Sequence, residues 1–307
     1  IEEGLEEVRA DYSVQTRFGK QWIRNALLNI PSLEESNNSA NIGEVFNKHK
    51  SAAICAAGPG IDRSIDSLSS LSTKVPIIAS DTSYPAILAR GIRPDCIVSI
   101  DCQHISYLHF FDLIAPNTVL CLDISSPPLL KRRAGTVLFF RGGHPLGNYI
   151  DRYWLGLHSL DTSGGNVSHA AISLAASMGA RSVYLYGADF SYPEAKAYAK
   201  GSYFYTYFRK AEDRLHPAFS SSLNFVLSSS RLINREEFLN GEKAAIYGND
   251  KMGLYKKRLL IYAEKHRTDI HFSQSPDFPQ VLNRLPETSS EVKNNVVLKK
   301  KKDIDWK

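Results

Sequence analysis

From about residue 50 onward, short apolar runs alternate with longer stretches of mixed polarity. The runs are Ala52–Cys55, Val75–Ala79, Cys96–Ile100, Thr118–Leu122, Thr136–Phe140 and Ser182–Tyr186. Within each run the apolar character is continuous, which suits strands covered on both faces. The intervening segments Asp62–Leu71, Ser83–Arg90 and Val167–Met178 carry helical spacing. Strand and helix in alternation predict an α/β fold built on a Rossmann-like, doubly wound, mostly parallel sheet. Gly91 and Pro94 predict the end of the second helix and the turn into the third strand.

Outside that alternation the pattern changes. Residues 1–30 set Leu5, Val8, Trp22, Ile23, Leu27 and Leu28 among charges, which predicts a helical lead-in broken by Pro31 and the polar stretch Glu34 to Asn41. Residues 190–215 are crowded with tyrosine and cations, among them Tyr192, Lys196, Tyr198, Lys200, Tyr203 and Arg209. Residues 218–267 predict two or three helical pieces broken near Gly241 and Gly248. Asp269–Phe272 predicts an edge strand, and the chain from Pro276 onward predicts loop and tail. The expected organisation is a lead-in over 1–45, a Rossmann-like domain over 46–215, a helical extension or C-terminal insertion over 216–285, and a basic tail over 286–307.

Composition narrows the class. The chain has 307 residues, 43% hydrophobic and 22% charged, which fits one large globular unit with appendages and not a disordered chain. The net charge of +5 comes partly from Lys299–Lys302, read as a solvated tail. Without a helix-turn-helix or an RNA-binding aromatic motif, a nucleic-acid partner is not expected. The four cysteines, Cys55, Cys96, Cys102 and Cys121, form no Cys-x-x-Cys pair and read as buried thiols of a reducing, cytoplasmic compartment. No stretch approaches the roughly eighteen apolar residues of a membrane span. The acidic start Ile-Glu-Glu-Gly-Leu-Glu-Glu is unlike a secretory signal and has no initiating Met, so the chain reads as a piece of a longer protein.

Two glycine turns carry the candidate chemistry. Gly58-Pro59-Gly60 follows the run Ala52–Cys55, and Thr162-Ser163-Gly164-Gly165-Asn166 precedes a helix-like stretch. Such turns aim backbone N–H groups at one point and attract phosphate, although either also serves as a plain reversal or cap. The first lacks Gly-x-Gly-x-x-Gly spacing and a P-loop Lys-Ser/Thr, which disfavours NAD and P-loop ATP chemistry. Asp81 with Thr82, Asp101 and Asp189 fall just beyond strand ends, where open α/β sheets gather ligands. A carboxylate there suits a ribose hydroxyl, a divalent cation or a helix cap. His144, His169 and His216 show no metal-ligand spacing and read as structural; no metal site is expected.

These phrases, in order, resemble the motility-associated factor (Maf) flagellin glycosyltransferases, whose central domain is similar to an archaeal hydroxymethyldihydropterin pyrophosphokinase and to bacterial sialyltransferases. The matching stretches are Ala57 to Asp62, Ile78 to Asp81, Gly91 to Asp95, Ser99 to Asp101, Gly164 to Val167, Ala175 to Ala180 and Tyr186 to Tyr192, covering roughly residues 50–210. Gly60 stands where the family usually has Ser, and Lys196 to Gly201 lacks the His often found there.

The resemblance implies a nucleotide-sugar domain that moves a sialic-acid-like (nonulosonic) sugar from a CMP-activated donor to flagellin Ser or Thr. Gly58, Pro59, Gly60, Asp81, Thr82 and Asp101 would hold the nucleotide and ribose, and Thr162 to Asn166 the phosphate or sugar carboxylate. Asp189 would be the base, with Tyr192, Tyr198 and Lys200 as phosphate donors. The alternatives are an ATP- and Mg²⁺-dependent pyrophosphokinase with Asp81, Asp101 and Asp189 on the metal, and a non-catalytic module of the motility apparatus.

Overall fold

In the computed structural model the apolar runs pair into one parallel sheet. Its strands are β1 (Ser51–Cys55), β2 (Ile77–Ser80), β3 (Cys96–Ser99), β4 (Val119–Asp123), β5 (Thr136–Arg141), β6 (His158–Ser159), β7 (Ser182–Tyr186) and, at one edge, β11 (Asp269–Phe272). The order is β11-β7-β1-β2-β3-β4-β5-β6. The structure describes residues 2–35, 50–110, 114–115, 117–152, 157–210, 212–228, 232–239 and 242–283. The expected basic tail, with Lys299–Lys302, lies outside them.

The continuous runs have a direct cause. Ala53, Cys55, Ile77, Ala79, Ile97 and Leu120 enter one apolar cluster, while Ala52, Ile54, Ile78, Val98, Val119 and Cys121 enter another. Each strand therefore buries both faces and has no polar side to show. The first cluster takes in Ile61, Leu68 and Leu71 of the helices Gly60–Arg63 and Ile65–Leu71, with Ala26 and Leu33 of the N-terminal helix. The second takes in the helix Val167–Ser177 and Leu259 and Tyr262 of the helix Asp250–Lys265. From β1 the chain winds outward to β6, then crosses back to β7 on the other flank of β1. The topological switch point lies between β1 and β7.

Three segments differ from the sequence expectation. The N-terminal helix runs Glu2–Glu35 straight through Pro31, which removes one backbone donor near its end without stopping it. Residues 233–248 are not helical: β9 (Ile233–Leu239) and β10 (Glu242–Gly248) form an antiparallel hairpin, completed by β8 (Tyr192–Pro193). Leu239 pairs directly with Glu242, and the sequence between them, Asn-Gly, is the pair that most strongly favours a hairpin. A short helix, Phe278–Asn283, replaces the expected loop. All four cysteines are buried and free. Among the described residues no helix is long and apolar enough to cross a membrane.

Candidate functional site

The turn after β1 is closed by the loop after β7. Gly58 N–H donates to Gly187 O (2.8 Å) and Gly60 N–H to Asp189 Oδ2 (2.8 Å). Ile61 N–H and Asp62 N–H donate back to Gly58 O and Pro59 O. A Cβ on Gly58 would stand 2.2 Å from Asp189 Oδ2, and one on Gly60 2.1 Å from Asp189 Oδ1. These positions are glycine because the Asp189 carboxyl fills the space a side chain would take. Asp189 is 4% exposed, with Arg63 at 3.9 Å. Burial raises its pKa, while the Gly60 N–H and Arg63 pull it down.

Asp81 and Asp101 end the next two strands. Asp81 Oδ1 accepts from Thr82 N–H (2.6 Å) and Oγ1 (3.0 Å), and Oδ2 accepts from Ser99 Oγ (2.6 Å). Asp101 Oδ1 accepts from Gln103 N–H (2.9 Å), and burial raises its pKa with Asp81 adding to the rise. Buried His109 packs against Tyr203 and Phe204. Tyr198 stacks on Phe204 at 4.6 Å, and burial, then Tyr192 and Asp81, push its phenol up to about 12. Tyr192 is buried in the same aromatic cluster. Lys200 is exposed; its N–H donates to Asp62 Oδ2 and its carbonyl accepts from Arg90.

The open space lies further along the same edge, at the ends of β4, β5 and β6. A cleft of 1760 Å³ is lined there by Asp123, Arg141, Gly142, His144, Thr162 and Ser163, with Tyr255 and Arg258 facing them from the helix Asp250–Lys265. Asp189, Tyr192, Tyr198, Lys200, Asp81 and Asp101 do not line it.

Asp123 organises its floor. Its Oδ1 accepts from Ser125 N–H (2.8 Å) and Ser125 Oγ, and its Oδ2 from Gly142 N–H (2.7 Å). Burial raises the Asp123 pKa against the pull of those bonds. A Cβ at Gly142 would lie 2.8 Å from Asp123 Oδ2 and 2.9 Å from Thr162 Oγ1. His144 Nδ1 accepts from Leu146 N–H (3.2 Å), so the neutral ring carries its proton on Nε2. Burial lowers the His144 pKa while Asp123 opposes it, which keeps the imidazole neutral and donating. Arg141 is paired with Asp151 at 2.5 Å.

The second glycine turn forms the adjoining wall. Ser163 N–H donates to Asp161 Oδ1 (2.8 Å), Gly165 N–H to Thr162 O (3.0 Å), and Gly143 N–H to Thr162 Oγ1 (3.2 Å). Asn166 Oδ1 caps the following helix by accepting from His169 N–H (2.9 Å). The N–H groups of Gly164 and Asn166 have no acceptor among the described residues. Gly165 has φ +74°, with Tyr255 Cε1 3.1 Å from where its Cβ would be. A Cβ on Gly164 would meet His169 Nδ1 at 2.2 Å. Arg258 donates to Ser163 O at 3.2 Å.

The N-terminal helix completes the cleft. Gln21, Asn25 and Asn29, four residues apart on one face, donate amides to the carbonyls that follow β3 and β4: Gln21 to Cys102, Asn25 to Cys102 and Ser125, Asn29 to Ile124 and Ser126. Trp22 hydrogen-bonds the Cys102 thiol and meets the His144 ring at 4.4 Å, edge to face. Asp123, Arg141, Trp22 and Arg258 were not among the sequence candidates. Two signals pointed to them: Asp123 ends an apolar run as Asp101 does, and Gly142-Gly143-His144-Pro145 is a third glycine turn with Pro opening a helix.

The sequence matches a family described as 6-hydroxymethylpterin diphosphokinase MptE-like over residues 24–195. An uncharacterized protein of Treponema pallidum (strain Nichols) is 39% identical over 121 residues, 37% of this chain and 52% of that protein. A second from the same organism is 32% identical over 147 residues, 46% of this chain and 50% of the relative. The chain thus spans about half the length of these curated relatives. The solved structure of the MAf glycosyltransferase from Magnetospirillum magneticum AMB-1 shares the fold at a TM-score of 0.50 and 18% identity, over 76% of this chain and 36% of that one.

Proposed function

The chain belongs to the 6-hydroxymethylpterin diphosphokinase MptE-like family, and from that premise we propose that it is a glycosyltransferase which moves a nonulosonic sugar from a CMP-activated donor to Ser or Thr hydroxyls of flagellin. One observation carries the proposal: a cleft at the carboxyl edge in which His144 and Arg258 stand beside the second glycine turn, lined there by Thr162, Ser163 and Gly165. A CMP-nonulosonate bears two anionic groups, a phosphodiester and a carboxylate, and such a donor set suits both. The fold shared with a protein described as a glycosyltransferase supports the same reading.

In this proposal the bond between the phosphate oxygen and the sugar's anomeric carbon breaks, leaving positive charge on the ring and negative charge on CMP. His144 Nε2–H and Arg258 stabilise the departing phosphate. Asp161, half-buried at the cleft wall, takes the acceptor's proton. Asp123 fixes the loop from which His144 projects. Asp81, Thr82 and Asp101 end neighbouring strands outside the lining of the cleft, and Gly58, Pro59 and Gly60 are closed over by the Asp189 loop, so in this reading they frame the edge and do not touch the donor. Asp189 ties two loops together, and Tyr192, Tyr198 and Lys200 support the edge without touching the phosphate.

The family description favours a second reading, an ATP- and Mg²⁺-dependent diphosphokinase. A thermal-shift series with CMP, CDP, UDP and ATP, each with and without Mg²⁺, separates the two. Stabilisation selective for CMP and indifferent to Mg²⁺ supports the glycosyltransferase, and Mg²⁺-dependent stabilisation by ATP supports the kinase. Silence toward all four leaves a non-catalytic module.

A further inference from the structure

The cleft is larger than a nucleotide sugar needs, since small-molecule pockets usually enclose about 300–1,000 Å³. Its excess length follows two helices that lie side by side. Gly165 meets Tyr255, Ser173 bonds Tyr262, and the chain around Ser177 to Arg181 faces Lys265 and His266. Along this wall Lys251, Tyr255, Arg258, Tyr262 and Lys265 recur at intervals of three and four residues, which places them in one stripe. From Lys251 to Lys265 the helix rises about 21 Å, the length of roughly six extended residues. Opposite the far end the floor is small: Ala176, Ser177, Gly179 and Ala180.

We infer that this groove binds the acceptor as an extended, acidic, hydroxyl-bearing polypeptide, an inference that rests on the transferase reading for its chemistry. Charge sets the occupant. Lys265, Arg181 and His266 line one end and Asp123 and Asp250 the other, with Asp161 between them, its N–H donating to Ser173 Oγ. A phosphodiester chain would carry its charge into those carboxylates. A peptide can place acidic side chains at the cationic end and a neutral Ser or Thr beside Asp161. Half-buried Tyr255 gives the peptide backbone a flat surface between the charges, while Tyr262 is buried against His169 and His266.

The test is fluorescence anisotropy with a labelled synthetic peptide joining a Ser-Thr segment to an Asp-rich one. It compares the protein with its Arg181→Glu/Lys265→Glu variant, and CMP binding is followed in parallel by thermal shift. Reversing these two exposed charges should weaken peptide binding by about tenfold and leave the CMP response unchanged. Peptide binding that ignores the double substitution overturns the inference. So does a wild-type protein that binds CMP but not the peptide, or one that prefers an oligothymidylate. If the peptide response behaves as stated while CMP fails to bind, the groove stands and the donor assignment falls.

Discussion

A methyl group on Gly60 would stand 2.1 Å from Asp189 Oδ1, so this glycine and this carboxylate are one unit. Gly60→Ala should cost about 2 kcal/mol in wild type and clearly less in an Asp189→Ala background. A urea double-mutant cycle measures the difference, and strict additivity would break the pairing. The two carboxylates also separate binding from chemistry. Asp161→Asn should lower turnover about a hundredfold with donor affinity retained. Asp189→Asn should leave turnover close to wild type, because its Oδ atom can still accept from Gly60 N–H. A large turnover loss in Asp189→Asn would restore Asp189 as the base. Sequence identified both glycine turns and the carboxylates between them. It could not tell which turn spends its N–H groups internally, because that depends on Asp189 arriving from a strand more than a hundred residues away.

The N-terminal helix is the element whose role was least legible. Its amides at positions 21, 25 and 29 look like polar surface in sequence, yet Asn25 and Asn29 are buried and donate to loop carbonyls that no strand pairs. Asn25→Leu should strip the Ser125 carbonyl of its donor, while Cys102 O keeps Gln21, and cost about 2 kcal/mol in urea unfolding. Trp22→Ala should loosen His144 and lower turnover more than donor affinity; a substitution that altered neither would show that the ring contact is only packing. The hairpin β9–β10 was missed for a different reason. Ile233 to Leu239 lacks a clean two-residue alternation, so its one strong signal was the Asn240-Gly241 turn.

At the scale of the whole molecule the parallel sheet was readable because its strands bury both faces and leave unbroken apolar runs. Even the edge strand Asp269–Phe272 showed as one. Burial also sets the pH response. It lowers the pKa of His109, His144, His158 and His169 from 6.5. Each therefore binds its proton more readily unfolded than folded. The stability this gives is present above pH 6.5 and lost as the pH falls toward the folded values. Between pH 7 and pH 5 the melting temperature of wild type should fall relative to that of His158→Gln, since the buried carboxyls Asp101, Asp123 and Asp189 act alike in both proteins. A difference between the two that does not change over that interval would contradict the assignment.

The amide ladder on the N-terminal helix also bears on the order in which the molecule is assembled. Its acceptors lie 77 to 100 residues downstream, so the helix leaves the ribosome well before the loops it must grip. Until residue 102 has emerged it has nothing to hold, until residue 126 its ladder is incomplete, and before residue 144 Trp22 has no imidazole to orient. A segment made before the loops it grips is thus among the last to be placed, and the cleft acquires this wall only after the central strands are paired. A truncated nascent chain ending before Cys102 would carry this helix undocked and open to proteolysis, and extension past His144 would close it.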